Sequence, residues 1–283
     1  MTTIRIKQNQ LPSSVALLAK AMVKKGCEPL PSITVAIDGF TFDRDNVNRY
    51  NECCGLPQDK LSLPYLFVAT QPVQLLLLTH PSVSLKLLGL IHTHVSFHQQ
   101  TPLQIGKAYN FTLGVIECIQ TDKGLEFELE GRFALDGAYQ ASYRSRCLLR
   151  GKPPASNNQN KPTDSSDDVE GQPPVWAKLE TLALTPQMAR SYAAVSGDYN
   201  PIHLHWLTAK PFGFKAPIIH GMYSVARMFA VIEPPISQAE FIFRRPAFLP
   251  STAELEICEK KEGEGELRLI NSEGKPLVEA QYR

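Results

Sequence analysis

One acid, two histidines and a glycine stand close together in this chain. They are Asp198, His203, His220 and Gly221, in the stretch SGDYNPIHLHWLTAKPFGFKAPIIHGMY. A carboxylate beside an imidazole can hold a water molecule and take its proton, work worth about 10²–10⁴-fold in rate. Gly221 lets a ligand approach the backbone closely. At the start of a helix its N–H is an unpaired donor that can bind a developing oxyanion.

These side chains need helix ends to present them. Thr185-Pro186 is a start signal, because threonine can accept from an orphan N–H and proline is pre-set for the first turn. Met188, Ala189, Tyr192 and Ala193 then share one face. Gly197 suits the left-handed end, so Asp198 is expected on a loop just past a helix. Asn200-Pro201 repeats the start signal and makes His203 the third residue of a new helix. A helix N-terminus disfavours positive charge, which predicts a neutral imidazole at His203. Pro217-Ile218-Ile219-His220 opens an apolar run reaching Ile232, expected to be a helix covered by a sheet.

Other readings compete at each position. Asp198 alone is a common turn residue. His203 and His205 form a His-x-His pair, but helical neighbours two apart point away from each other and no third metal ligand has fitting spacing. His220 reads as a pocket-lining or structural histidine. His92, His94 and His98 alternate like one face of a strand. Arg244-Arg245, Lys210 and Lys215 are either phosphate contacts or a solvated face.

Residues 151–175 are rich in proline, asparagine, serine and aspartate and read as a linker between residues 1–150 and 176–283. The two parts look like diverged copies of one unit. Tyr50 with Gly55 matches Tyr192 with Gly197, and the run opened by Pro64 matches that opened by Pro217. Val95–His98 matches Phe241–Arg244. Each part closes with long strands, turning at Asp136-Gly137 and at Glu273-Gly274. Alternation in Leu125–Glu130, and plainly also in Ala253–Glu259, supports the strands. Helix followed by antiparallel strands, twice over, predicts an α+β architecture.

A net charge of +1 gives no reason to expect nucleic-acid binding. The six cysteines show no Cys-x-x-Cys spacing, so a reduced cytoplasm is expected rather than a disulfide framework. The N-terminus lacks a secretory h-region, and Val73–Leu78 is far short of the roughly 20 apolar residues of a membrane span. Phosphate loop, GxSxG elbow and HExxH motif are missing from the sequence.

The residues Ser196–His203, then Ala209, then Pro217–Met222, resemble the signature of the MaoC-like dehydratases, the (R)-specific enoyl-CoA hydratases of hot-dog fold. The resemblance is specific over residues 180–283. The first part is similar, in layout only, to the degenerate repeat of double hot-dog members. The family implies reversible syn addition of water to a trans-2-enoyl thioester, giving an (R)-3-hydroxyacyl thioester, with no cofactor and no metal. By the same resemblance Asp198 and His203 are the acid/base pair, Asn200 fixes their loop, and the Gly221 N–H polarises the thioester carbonyl. His220, Met222 and Tyr223 join Asn200 as candidate substrate contacts. Gly55-Leu56 stands where Gly197-Asp198 does, so one site per chain is expected, with the first part housing the acyl chain. Some members carry a serine where this chain has Phe229. The partner is an acyl-CoA or acyl-carrier-protein thioester, and a homodimer is possible. A hot-dog thioesterase or a non-catalytic acyl-thioester binder are the alternatives.

Overall fold

Strands form where apolar and polar residues alternate, because a sheet with one dry face requires that period. The computed structural model describes residues 2–87, 89–151, 174–233 and 235–283. The chain opens with β1 (Thr2–Arg5), α1 (Ser14–Val23) and β2 (Ile33–Phe40). Next come α2 (Arg44–Cys54), α3 (Leu63–Ala69), α4 (Gln71–Leu78), β3 (Leu90–Gln99), β4 (Tyr109–Thr121), β5 (Gly124–Leu135) and β6 (Ala138–Arg150). After residues 152–173, most of the stretch read as a linker and outside the described residues, follow β7 (Ala177–Leu184), α5 (Pro186–Ser196), α6 (Pro201–Leu204) and α7 (Trp206–Ala209). The chain finishes with α8 (Gly221–Phe229), β8 (Gln238–Phe243), β9 (Ser251–Lys261), β10 (Glu264–Asn271) and β11 (Pro276–Tyr282).

Among the described residues these strands make one 11-stranded sheet, ordered β1-β2-β4-β5-β6-β3-β8-β11-β10-β9-β7. Only β1 runs parallel to its neighbour. Read from each edge inward, β2-β4-β5-β6-β3 matches β7-β9-β10-β11-β8. The two series meet where β3 pairs antiparallel with β8, Phe97 opposite Ala239. Across that seam Phe97 and Phe241 meet edge to face at 6.2 Å, a pairing worth about 0.5–1.5 kcal/mol beyond the area it buries.

The apolar helices lie against this sheet, α3 on β3 and β6 and α8 on β10. Leu66 and Val68 of α3, and Val225, Ala226 and Met228 of α8, are buried. The helices also meet one another, α3 with α8 and α2 with α5, bringing the Tyr50 and Tyr192 rings to 6.0 Å. This is an α+β double hot-dog. No helix of the described residues is long and apolar enough to cross a membrane.

Two local features differ from the sequence expectation, each for a non-local reason. Pro217–Ile219 are extended rather than helical: Ile218 bridges to Phe248, and the Ile219 N–H donates to Ala247 O at 2.9 Å. The helix therefore starts only at Gly221. His92 and His94 do not share a face, because a register shift falls between them in the pairing with β6. Such a bulge re-aims a side chain. His92 stacks on Phe67 of α3, with ring centroids 5.3 Å apart, whereas His94 bonds Glu240 at 2.7 Å. The helices α3 and α4 meet at a break at Thr70. Pro72, the second residue of α4, cannot donate to the helical ladder. The Thr70 hydroxyl instead bonds Leu66 O at 2.8 Å and the Tyr143 hydroxyl at 2.6 Å.

Candidate active site

Two helix ends and one loop build the site. Thr185 caps α5, accepting from Met188 N at 3.2 Å. Gly197 closes it at φ 76°, a left-handed conformation that glycine adopts without strain. The chain turns there, and the Asp198 carboxylate folds back to accept the Asn200 N–H at 3.1 Å. Asn200 in turn caps α6, its side-chain oxygen facing Ile202 N at 3.4 Å. Asn200 thus ties the acid to the helix that carries His203.

His203 is buried, and its Nδ1 lies 2.8 Å from the Ile218 carbonyl oxygen. A carbonyl only accepts, so Nδ1 carries the hydrogen and Nε2 keeps a free lone pair. His220, at the N-cap of α8, places Nε2 3.0 Å from the backbone oxygen of Asp198. The same logic leaves its Nδ1 unprotonated, and that atom is buried with no hydrogen-bond partner among the described residues. The two imidazoles stack with centroids 3.8 Å apart. One ligand atom from each of Asp198, His203 and His220 falls within 4.8 Å of the others. A carboxylate and two imidazoles this close can pass a proton through one water.

Electrostatics sharpen these states. Burial lowers the pKa of His203, against the pull of Asp198 and the Ile218 carbonyl. Burial takes His220 down to about 3. Burial acts to raise Asp198, but the facing His220 and His203, the Asn200 N–H and the Gln71 side chain outweigh it and hold the carboxyl below its usual range. At neutral pH the site pairs one carboxylate with two neutral imidazoles.

Gly221 is the first residue of α8, and its N–H is one of that helix's orphan donors. It also has a packing reason to be glycine, since a Cβ there would come 2.7 Å from Phe243 Cε1. Gly221→Ala is therefore expected to destabilise the fold by about 1–3 kcal/mol through overpacking. Adding Phe243→Leu should recover part of that loss in a denaturation midpoint.

The expected residues divide into two sets. Asp198, Asn200, His203 and His220 come together. Met222 and Tyr223 are buried in the helical core, Tyr223 edge-on to Tyr192 at 5.6 Å. His205 caps α7 through Leu207 N. Two residues of the first half reach the same place: Gln71, which sequence reading passed over, and His92, which it read only as a strand residue. Gln71 of α4 is among the groups that hold the Asp198 carboxyl below its usual range. His92 lies 4.8 Å from Phe243, the ring that covers Gly221. Burial pushes His92 down to about 4. The Gln71-Pro72 dipeptide, a helix break inside an apolar run, was the available signal for the first. The bulge that turns His92 inward leaves no mark in one sequence.

The family described as MaoC like domain matches residues 170–267. The 3-hydroxyacyl-thioester dehydratase X of Mycobacterium tuberculosis is 30% identical over 261 residues, covering 90% of this chain and 91% of the relative. The crystal structure of HtdX from that organism superposes with a TM-score of 0.74 at 28% identity, covering 88% of this chain and 99% of the other. A MaoC-like dehydratase from Phytophthora capsici shares the fold at a TM-score of 0.64 and 19% identity, covering 93% and 96% of the two chains.

Proposed function

The chain belongs to the MaoC-like dehydratases, an enzyme family, and from that premise we propose that it catalyses reversible hydration of trans-2-enoyl thioesters, carried by coenzyme A, to (R)-3-hydroxyacyl thioesters. The observation that carries this reading is that one Asp198 carboxylate oxygen and one ring nitrogen of His203 lie within 4.8 Å of each other, with the Nε2 of His203 keeping its lone pair. A water between them has two acceptors for its protons. Its oxygen bonds to C3 of the enoyl group, one proton passes to the pair, and C2 receives a proton from the same pair. Atoms balance as one added water. Negative charge gathers on the thioester oxygen as C3 is attacked. The Gly221 N–H, at the positive end of α8, is the donor for it. Asn200 holds the loop, His220 holds the Asp198 backbone, and Met222 and Tyr223 form the helical wall beside the substrate. Residues 1–150 and 176–283 are two hot-dog repeats joined by 151–175, and only the second supplies the acid and the histidines.

The test is a panel of enoyl-CoA esters of graded chain length, assayed for hydration with the product's stereochemistry determined. Formation of the (R)-3-hydroxyacyl ester supports the reading. Release of free coenzyme A, seen with a thiol reagent, would assign a thioesterase instead. Saturable acyl-CoA binding without turnover would leave a binding protein.

A further inference from the structure

We propose that the outward face of α1, beside the loop that presents Asp198, is a docking surface for an acidic, helical acyl carrier protein that delivers the enoyl thioester on its tether. The proposal rests on the hydration reading above, with the acyl group borne by a protein as well as by coenzyme A.

The helix is apolar on both of its faces. Leu17 and Ala21 are buried on the inner side, where α1 packs on α4. Val15, Ala16, Ala19, Met22 and Val23 recur at helical spacing on the other side and are exposed. Val15 is 61% exposed, Met22 45% and Val23 73%. A helix that is apolar all round is normally covered all round. At about 1.5 Å per residue the stripe runs roughly 10 Å from Val15 to Met22, enough for one helix to cross another. Both ends of α1 are fastened. The Ser13 hydroxyl accepts from Ala16 N at 3.3 Å, and Lys24 Nζ donates to His80 O at 2.7 Å. The stripe is therefore pre-positioned, so a partner that binds it has little ordering to supply.

Charge selects the partner. The chain has 28 Asp and Glu residues, yet none falls in residues 1–27, and Lys20 and Lys25 are exposed on and just past α1. The stretch from Tyr199 to Ile232 is acid-free too, with Lys210, Lys215 and Trp206 exposed. The two segments meet at the site. Ser14 Oγ lies 3.5 Å from where a Cβ on Gly197 would stand, and Gly197 directly precedes Asp198. An apolar stripe among lysines, next to the acid that handles water, is complementary to a helix whose apolar residues sit among carboxylates. The flexible thioether of Met22 adapts to such a surface. A second copy of α1 would oppose lysine to lysine with no acid to answer it. The nucleotide of coenzyme A offers phosphates and a base, which do not match a row of methyl and thioether groups.

The experiment compares one trans-2-enoyl group on coenzyme A and on a purified phosphopantetheinylated acyl carrier protein, for wild type, Met22→Glu and Lys20→Glu. In each variant KM for the protein-borne ester should rise about tenfold with kcat kept, because a carboxylate then faces carboxylates. Kinetics on the coenzyme A ester should not move, which also shows that each variant is folded. Wild-type KM for the protein-borne ester should rise with salt, and less steeply in Lys20→Glu. Unchanged KM for the protein-borne ester in both variants would overturn the proposal, as would wild-type turnover of the coenzyme A ester alone. Equal losses on both esters would overturn it as well. So would a wild-type dimer in sedimentation, or binding to vesicles of anionic phospholipid, that Met22→Glu abolishes, because the face would then belong to a second copy or to a membrane. If wild type hydrates neither ester, the parent reading has failed. If it hydrates both and the variants match it, only this inference has.

Discussion

Asp198→Asn is expected to lower kcat/KM for enoyl-CoA hydration by about 10²–10⁴-fold, the usual worth of a positioned acid or base. Asparagine keeps the shape, and its side-chain oxygen can still accept the Asn200 N–H now 3.1 Å from Asp198 Oδ1. The loop should therefore stay in place. The negative charge is lost, together with the second oxygen that accepts a water proton. The loss of folding stability should be small, because the Asn200 hydrogen bond that shapes the loop is kept. A thermal midpoint within a few degrees of wild type, with turnover nearly abolished, is the expected pair of results. Near-wild-type hydration by this variant would sink the water-handling role of Asp198.

Much of this site was legible because helix ends are written locally. Thr185-Pro186 and Gly197 bound α5 where the chain places it, and Asn200-Pro201 opens α6 with His203 as its third residue. Capping needs only residues a few positions apart, so one sequence carries it. The seam between β3 and β8 was not legible. Its register depends on two strands far apart in the chain, and alternation gives the buried face but not the partner. The same holds for His92. Strand period puts it on one face with His94, and only the register shift against β6 separates them. Pro217 shows the converse failure. An apolar run after proline looks helical, but pairing with Phe248 and Ala247 claims it for extended backbone. What the sequence does not carry is mostly what crosses between the halves, and Gln71 belongs to that class. Its neighbours in sequence say only that a helix breaks.

His203→Asn should cost about as much as Asp198→Asn, and the two losses should not multiply. The choice of asparagine follows from the tautomer. His203 Nδ1 donates to Ile218 O at 2.8 Å, and Ile218 is part of the extended segment bridged to Phe248. The asparagine NH2 sits where Nδ1 does, so it can keep that bond and with it the path of the chain into α8. The Nε2 lone pair is lost. His203→Ala would mix two effects, because a buried carbonyl without its donor costs about 1–3 kcal/mol and the stacked face of His220 would be left bare. With His203→Asn the loss of about 10²–10⁴-fold can be read as proton transfer alone. Groups that act as one unit on one water cannot each be lost at full cost. The double variant, Asp198→Asn with His203→Asn, should therefore fall close to the worse single variant in kcat/KM at neutral pH. If the two losses multiplied, the acid and the histidine would be serving different steps, and a single water held between them could not be the nucleophile.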